Sequence, residues 1–173
     1  DGTKHLCIRM EYAERGSVLD LIKRQQAALI NKHGVSTITE AREKEAKERT
    51  AGSTDGAIDE ALVLRWLEQL ADALAYLHGR RKLHRDIHPG NVLIKADGTV
   101  RLADFGLARE LSADKSALSK SNLQTPYSSA EKAMSTLKYD GRDDCWALGI
   151  VLSELVTRVL LSDRIGAGML WAN

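Results

Sequence analysis

Two stretches of the chain repeat apolar residues at the spacing of a buried helix. Residues 59–78 place them at three- and four-residue steps, which predicts a helix that ends at Gly79. Its expected core face comprises Leu62, Val63, Trp66, Leu67, Leu70, Leu74 and Leu77. Residues 142–157 are almost wholly apolar and predict a second helix. Asp143 and Asp144 suit the start of this helix, because the helix dipole stabilises acidic side chains there.

Shorter apolar runs predict strands and one more helix. Residues 91–96 and 99–105 are joined by an Asp-Gly pair at 97–98, which is typical of a tight hairpin turn. Residues 6–12 alternate between apolar and polar well enough for another strand. A short helix is expected over residues 18–26. The predicted elements therefore mix helices with short strands.

A polar, charge-dense segment covers residues 24–58 and has no apolar stripe. We interpret most of it as a mobile insert. Thr37 and Glu40 also have the spacing of a capping box, which is compatible with a short exposed helix inside the segment. Residues 109–129 are polar and serine-rich without periodicity, and predict a long loop. Residues 158–173 are left unassigned.

Composition and charge are those of an ordinary globular protein. Of the 173 residues, 43% are hydrophobic and 28% are charged, which is sufficient for one core. A formal net charge of +1 favours neither nucleic acid nor a membrane surface as a partner, and no apolar run is long enough to cross a bilayer. Cys7 and Cys145 lie in apolar stretches. This favours reduced core residues and a cytoplasmic or nuclear location over a disulfide or a metal site.

The candidate chemistry rests on two acids and one amide. Asp86 precedes Asn91 by five positions, and Asp104 follows the second strand of the predicted hairpin. Because a hairpin brings the outer ends of its strands together, we expect Asn91 and Asp104 to lie close to each other. Carboxylate and amide oxygens suit a magnesium ion that is held together with substrate phosphates. Asp86 is then placed to accept a proton from an attacking hydroxyl, an arrangement that fits phosphoryl transfer.

Four motifs in order resemble those of eukaryotic protein kinases of the serine/threonine type. They are "HRDIHPGN" at 84–91, "DFG" at 104–106, "TPYSSAE" at 125–131 and "DDCWALG" at 143–149. The general appearance is similar to NIMA-related or calmodulin-dependent kinases. The resemblance implies an α+β fold, namely a mainly helical carboxy-terminal lobe (C-lobe) with short β-hairpins. It also implies that the amino-terminal lobe (N-lobe) and the last C-lobe helices are absent from this chain.

The same resemblance divides the chain into segments. Residues 1–23 correspond to the last N-lobe strand, the hinge and the next helix, and residues 24–58 to the polar insert. Residues 59–157 correspond to the catalytic core, and residues 158–173 to the unassigned tail. We therefore expect a partial kinase domain that is inactive alone. Its parent would need the missing N-lobe of the same domain, would bind ATP and Mg²⁺, and would phosphorylate a protein substrate.

The resemblance assigns catalytic roles to individual residues. Asp86 corresponds to the catalytic aspartate, whereas Asn91 and Asp104 would hold magnesium. Arg85 resembles the arginine that pairs with a phosphorylated activation loop. Thr125 resembles the threonine that typifies serine/threonine kinases.

It also assigns a nucleotide site and an anchor for the catalytic loop. Met10 would occupy the gatekeeper position, and the backbone of Glu11 and Ala13 would meet the adenine edge. Leu93 would belong to the same cofactor site. Asp144 resembles the buried aspartate that holds the backbone of the catalytic loop, with an ordinary charge at a helix start as the alternative.

Two departures from the family pattern keep other functions open. His88 replaces the lysine that usually follows the aspartate by two residues. We favour a weaker phosphate contact for it, with a purely structural role as the alternative. "SAE" at 129–131 stands where alanine-proline-glutamate is usual. A catalytically impaired kinase-like scaffold is therefore a second hypothesis for this chain.

A third hypothesis comes from the loop "DIHPGN" at 86–91, which is also similar to that of aminoglycoside and related small-molecule phosphotransferases. The motif "TPYSSAE" and the apolar helix after Asp144 resemble machinery for protein substrates. They favour the protein kinase over the small-molecule enzyme.

Overall fold

The computed structural model describes residues 11–48, 58–110, 126–129 and 140–165. Within these segments the fold is mainly helical, with two pairs of short antiparallel strands. The helices are α1 (Val18–His33), α2 (Ile38–Glu48), α3 (Glu60–Gly79), α4 (Gly141–Thr157) and α5 (Leu161–Ile165). The strands are β1 (Lys82–Leu83), β2 (Val92–Ile94), β3 (Val100–Leu102) and β4 (Arg109–Glu110), and a short 3₁₀ turn covers Pro89–Asn91.

Helix α3 packs its apolar stripe against helix α4 and the β2–β3 hairpin. Of the predicted core face, the buried residues are Val63, Trp66, Leu70 and Leu74, and the half-buried ones are Leu62, Leu67 and Leu77. Burial of one large apolar side chain contributes roughly 1.5–3 kcal/mol, so this stripe is a main source of stability. The Nε1 atom of Trp66 also donates a hydrogen bond to the carbonyl oxygen of Gly98 at 2.8 Å. Helix α3 therefore fixes the turn of the hairpin as well as its apolar face.

Strands β2 and β3 form the predicted hairpin in antiparallel register. Val92 pairs with Leu102, and Ile94 pairs with Val100. The turn contains Gly98 at φ +80°, a left-handed conformation that glycine adopts without strain. The open end of the hairpin lies opposite this turn. It carries the residues that precede Val92 and follow Leu102, which are the predicted catalytic positions.

Helix α1 differs from its prediction, which ends it near Gln26 and begins a mobile insert at residue 24. The helix continues to His33, and Gly34 ends it in the left-handed conformation at φ +58°. Its start has a capping box, in which the Ser17 side chain accepts from the backbone N–H of Asp20 and the Asp20 carboxylate accepts from that of Ser17. The polar composition therefore does not mark the end of the helix.

The middle of the predicted insert also forms helix α2, at residues 38–48. Thr37 accepts a hydrogen bond from the backbone N–H of Glu40 at 3.2 Å, as a capping box requires. The Glu40 carboxylate, however, accepts from the backbone N–H of Ser36. The interpretation of residues 38–48 as a mobile segment was wrong, because a few apolar residues suffice to dock this helix. They are Leu29, Ile38 and Ala41, with Ile30, Val35 and Val159 at the edge of the cluster.

A buried ion pair reinforces this docking. The Oε2 atom of Glu45 on α2 lies 2.6 Å from Nη2 of Arg158, which follows α4. Arg158 adopts φ +54°, a left-handed conformation that is costly for a residue other than glycine. The side chain of Gln26 donates to the carbonyl oxygen of Arg158 at 2.8 Å. Helices α1 and α2 therefore both hold the carboxyl end of α4.

The stretch predicted as a loop at 109–129 begins as strand β4, which pairs with β1 so that Leu83 lies opposite Arg109. Residues 126–129 of this stretch form a turn, and residues 111–125 lie outside the described segments. The unassigned tail contains helix α5. Of the strand expected at 6–12, residues 6–10 lie outside the described residues.

The cysteines and the length of the helices were also predicted from the sequence. Cys145 is exposed, so its assignment to the core was wrong, and Cys7 lies outside the described residues. Exposure follows from its place on the outer face of α4, where burial is limited to one stripe. Among the helices of the described segments, none has both the length and the apolarity that a bilayer crossing requires.

Candidate active site

The loop between β1 and the 3₁₀ turn is held by one buried carboxylate. Asp144, in the first turn of α4, is fully buried. Its Oδ2 atom accepts from the backbone N–H of His84 at 3.0 Å, and its Oδ1 atom accepts from that of Arg85 at 2.9 Å. Arg85 adopts φ +73°, and these hydrogen bonds hold that strained backbone in place. Asp144 is therefore more than an ordinary charge at a helix start, because it fixes the loop that carries Asp86.

The side chains of Asp86 and Asn91 contact each other directly. The Nδ2 atom of Asn91 donates to the backbone oxygen of Asp86 at 2.8 Å and to its Oδ2 atom at 3.0 Å. Asn91 is buried, whereas the Asp86 side chain keeps 24% of its surface exposed. Since Nδ2 is engaged as a donor, Oδ1 is the atom with which Asn91 would bind a cation.

Asp104 lies at the other side of the hairpin's open end. It follows β3 in a left-handed conformation at φ +60° and is exposed, with Oδ1 accepting from the backbone N–H of Gly106 at 3.1 Å. The backbone N–H of Ala103 donates to the carbonyl oxygen of Asn91 at 2.8 Å. This backbone contact joins the two ends of the hairpin. Asn91 and Asp104 consequently line one cavity, as the hairpin predicts.

The donor set at this end fits magnesium better than a metal held by protein alone. No cluster of three His, Cys, Asp or Glu side chains suited to a metal occurs within the described segments. One carboxylate and one amide oxygen supply only part of a coordination shell. Magnesium completes its octahedral shell with water and with substrate phosphates, so a site of this kind binds a metal–phosphate complex.

The cavity has a volume of about 890 Å³ and extends from the open end of the hairpin to the segment before α1. The sequence-predicted residues that line it are Glu11, Ala13, Asn91, Leu93 and Asp104. Lys95 also lines it, and its Nζ atom lies 2.8 Å from Oε1 of Glu11. This hydrogen bond and the charge of Lys95 hold the pKa of Glu11 below its usual value. The Glu11 side chain is thereby tied to the hairpin beside the cavity.

His84 connects the catalytic loop to the segment after β3. Its Nε2 atom lies 3.1 Å from the carbonyl oxygen of Ala103, and its Nδ1 atom accepts from the backbone N–H of Asp86 at 3.3 Å. These partners assign the neutral tautomer with the proton on Nε2. Burial lowers the pKa of His84, which agrees with a neutral ring. The ring also packs against Phe105, with 4.9 Å between centroids.

His88 is oriented by a backbone hydrogen bond and by an aromatic neighbour. Its Nδ1 atom accepts from the backbone N–H of Gly90 at 3.1 Å, and its Nε2 atom lies 3.9 Å from Oδ2 of Asp86. The His88 ring faces the ring of Tyr127 at a centroid distance of 6.0 Å. A Cβ atom at position 90 would lie 2.8 Å from Cε1 of His88, so this geometry requires glycine there.

Sequence reasoning overlooked Tyr127 and Glu154 as parts of this region. The hydroxyl of Tyr127 donates to both carboxylate oxygens of Glu154, at 3.1 and 3.2 Å, and Glu154 is only 2% exposed. The available signal was a glutamate in an otherwise apolar helix, because a buried carboxylate needs a donor. The hydroxyl of Ser129, nearby in sequence, donates to Oδ1 of Asp143 at 2.5 Å. The side chains of Tyr127 and Ser129 therefore attach residues 126–129 to helix α4.

The remaining sequence-predicted residues are less completely placed. Met10 and Thr125 lie outside the described residues. Arg85 is half-buried in the catalytic loop beside Asp86. The phosphorylated loop that it is expected to meet also falls outside the described segments.

Comparisons with known proteins find one family model and several relatives for this chain. A sequence model described as the protein kinase domain matches residues 1–167. The serine/threonine-protein kinase ppk11 of Schizosaccharomyces pombe is 32% identical over 88% of this chain and 39% of its own length. Nek1 of Mus musculus, a serine/threonine-protein kinase, is 33% identical over 88% of this chain and 10% of its own length. The serine/threonine-protein kinase pak-2 of Caenorhabditis elegans is 42% identical over 51% of this chain and 17% of its own length.

Proposed function

Because this chain belongs to the protein kinase family, we propose that it carries the catalytic loop of a serine/threonine kinase. The reaction would move the terminal phosphate of magnesium-ATP to a hydroxyl of a protein substrate. The observation that carries the proposal is the pair of hydrogen bonds from Asn91 to Asp86, next to a cavity that Asp104 also lines. These bonds join the candidate proton acceptor to one candidate metal ligand, and the cavity brings that ligand together with the other.

Each residue at the open end of the hairpin has a part in this reaction. Asn91, through Oδ1, and Asp104, through its carboxylate, would hold the magnesium. The bound metal would neutralise the phosphate charge that develops during transfer. Asp86 would orient the substrate hydroxyl and accept its proton. Its Oδ2 atom is held by Asn91, and its other oxygen is the one that would face the hydroxyl.

The far end of the cavity suits the adenine ring of ATP. Backbone groups of Glu11 and Ala13 would meet the adenine edge, Leu93 would pack against one face of the ring, and Met10 would act as the gatekeeper. The salt bridge between Glu11 and Lys95 would keep the hinge segment against the hairpin while the nucleotide binds.

Two positions would connect the site to regulation and to the substrate. Arg85 would pair with a phosphorylated group on the activation segment, as a guanidinium does with phosphate. Thr125 would contribute to the substrate site as the threonine typical of serine/threonine kinases. His88 would replace the usual lysine as a weaker contact to the transferring phosphate.

The proposal places the chain within a two-lobed domain. The described helices and strand pairs would belong to its C-lobe, and an N-lobe would close the ATP site from the other side. The chain spans 39% of ppk11 and 10% of Nek1, and Nek1 fits the NIMA-related appearance of the motifs. We place the parent protein in the cytoplasm or the nucleus, with a protein substrate and without a nucleic-acid or membrane partner.

One assay separates this proposal from its two alternatives. The complete protein is incubated with labelled ATP and offered peptide and aminoglycoside acceptors, with Asp86→Asn as the control. A protein kinase labels the peptide and loses that label in the variant. Label on the aminoglycoside indicates a small-molecule phosphotransferase, and no label on either acceptor indicates a scaffold. The Asn side chain can still accept from Asn91, so the control keeps the local fold.

A further inference from the structure

Tyr127 is anchored at both ends of its side chain. At one end, its hydroxyl donates to the two carboxylate oxygens of Glu154, which is buried on α4. The same carboxylate accepts from the backbone N–H of Leu161 at 2.6 Å, so it is fixed in turn. Burial and the charge of Glu154 raise the pKa of Tyr127, and the hydroxyl therefore remains a donor. At the other end, the aromatic ring faces His88.

The contact between the two rings joins separate parts of the site. The centroids of His88 and Tyr127 lie 6.0 Å apart with an interplanar angle of 37°, within the range of favourable aromatic pairs. His88 lies in the catalytic loop, whereas Tyr127 lies two residues after Thr125 in the segment that precedes α4. The side chain of Tyr127 therefore links that segment to the loop that carries Asp86.

The orientation of His88 decides which atom faces the reaction. Its Nδ1 atom accepts from the backbone N–H of Gly90, so the proton of the neutral ring is on Nε2. That atom lies 3.9 Å from Oδ2 of Asp86, which is too far for a hydrogen bond between them. Nε2–H is consequently a donor directed to the space beside Asp86. A rotation of the ring would turn it away.

We propose that Tyr127 is a positioning residue, which holds the imidazole of His88 so that Nε2–H points at the phosphate that Asp86 helps to transfer. This inference rests on the proposed kinase function. It makes the aromatic residue of the activation segment a determinant of turnover, acting through His88. The ring supplies the contact, and the hydroxyl bound to Glu154 fixes the ring.

A double-mutant cycle in the complete protein tests this role. The variants are Tyr127→Leu, His88→Ala and the two combined, with kcat and the KM for ATP measured for each. We expect Tyr127→Leu to lower kcat roughly fivefold to tenfold, which lies within the range of coupling between contacting residues, with the KM for ATP unchanged. In the His88→Ala background, the same change should lower kcat no further. Tyr127→Phe keeps the ring and should lose less kcat than Tyr127→Leu.

An equal loss of kcat in both backgrounds would overturn the inference, because Tyr127 would then act independently of His88. A direct measurement covers the case in which Tyr127→Leu does not fold. In the unaltered protein, NMR should detect cross-relaxation between ring protons of His88 and Tyr127, and its absence would also overturn the inference. If Asp86→Asn retains full phosphorylation, the proposed function itself fails. If Asp86→Asn is inactive and the cycle is additive, only the role of Tyr127 fails.

Discussion

The carboxylate of Glu45 lies 2.6 Å from the guanidinium of Arg158, and both side chains are almost fully buried. The two residues are 113 positions apart, so this pair ties the polar helix α2 to the carboxyl end of α4. Removal of one partner of a buried ion pair is strongly destabilising, because the remaining buried charge loses its compensation. The contact therefore identifies α2 as part of the folded domain.

Replacement of Glu45 by alanine should destabilise the chain by about 3 kcal/mol, because the buried guanidinium would lose this carboxylate. Urea unfolding of the 173-residue chain measures the change. Glu43→Ala is the matched control, since Glu43 is exposed on the same helix and should change stability by less than about 0.5 kcal/mol. Adding Arg158→Gly to Glu45→Ala should restore part of the loss, because glycine accepts φ +54° without strain. Equal unfolding midpoints for both single variants would contradict the docked helix.

Replacement of Gly90 by alanine should lower turnover of the complete protein. The new Cβ atom would lie 2.8 Å from Cε1 and 3.0 Å from Nδ1 of His88, so the imidazole must move. We expect a loss of kcat of about tenfold or more, as for other small displacements of reacting groups. Gly149→Ala is the control, since nothing lies within 4 Å of its Cβ position. If both variants keep full kcat, the position of His88 has no influence on the reaction.

Replacement of His88 by lysine should keep or raise kcat in the complete protein. Lysine carries a permanent positive charge and reaches further than histidine, so it would strengthen a contact to the transferring phosphate. His88→Ala, which removes the contact, should lower kcat and serves as the comparison. Steady-state kinetics with a peptide substrate measures both variants. A large loss of kcat with lysine would indicate that the imidazole itself is required.

The buried His84 should make the fold less stable in mild acid. Burial lowers its pKa below the usual value of 6.5, so that just below this pH the unfolded chain binds a proton at His84 and the folded chain does not. The free energy of unfolding should then fall as the pH drops through about 6.5, until the lowered folded-state pKa is reached. Glu154, whose pKa is raised by burial, acts in the opposite direction at lower pH. Urea unfolding at about pH 7.5 and about pH 5.5 should give a smaller difference for His84→Asn than for the unaltered chain. An unchanged difference would exclude His84 as its source.

Local patterns were enough to predict most of the elements around the site. The apolar period placed α3 and α4 nearly to the residue, and the Asp-Gly pair placed the β2–β3 hairpin. The hairpin in turn predicts that Asn91 and Asp104 face one cavity. These features depend on contacts between residues that are close in sequence, and such contacts leave a periodic signal.

Other features depend on contacts between distant residues and were not predictable from local patterns. The sequence of helix α2 is too polar to predict a packed helix. Its stability comes instead from Arg158 and from a few apolar neighbours elsewhere in the chain. The link between Tyr127 and Glu154 joins a turn to the middle of a helix. The one local indication of this hydrogen bond is the presence of a glutamate in an otherwise apolar helix. Cys145 was misassigned because an apolar helix can still leave one face exposed.

In the proposed site, Asn91 and Asp104 hold one divalent cation together with a nucleotide, beside Asp86. The most direct test is manganese electron paramagnetic resonance on the complete protein, with a non-hydrolysable ATP analogue and Mn²⁺ in place of Mg²⁺. We expect a protein-bound Mn²⁺–nucleotide signal that Asp104→Asn abolishes and that Asp86→Asn retains. If Asp104→Asn binds the Mn²⁺–nucleotide complex as tightly as the unaltered protein does, the proposed metal site is wrong.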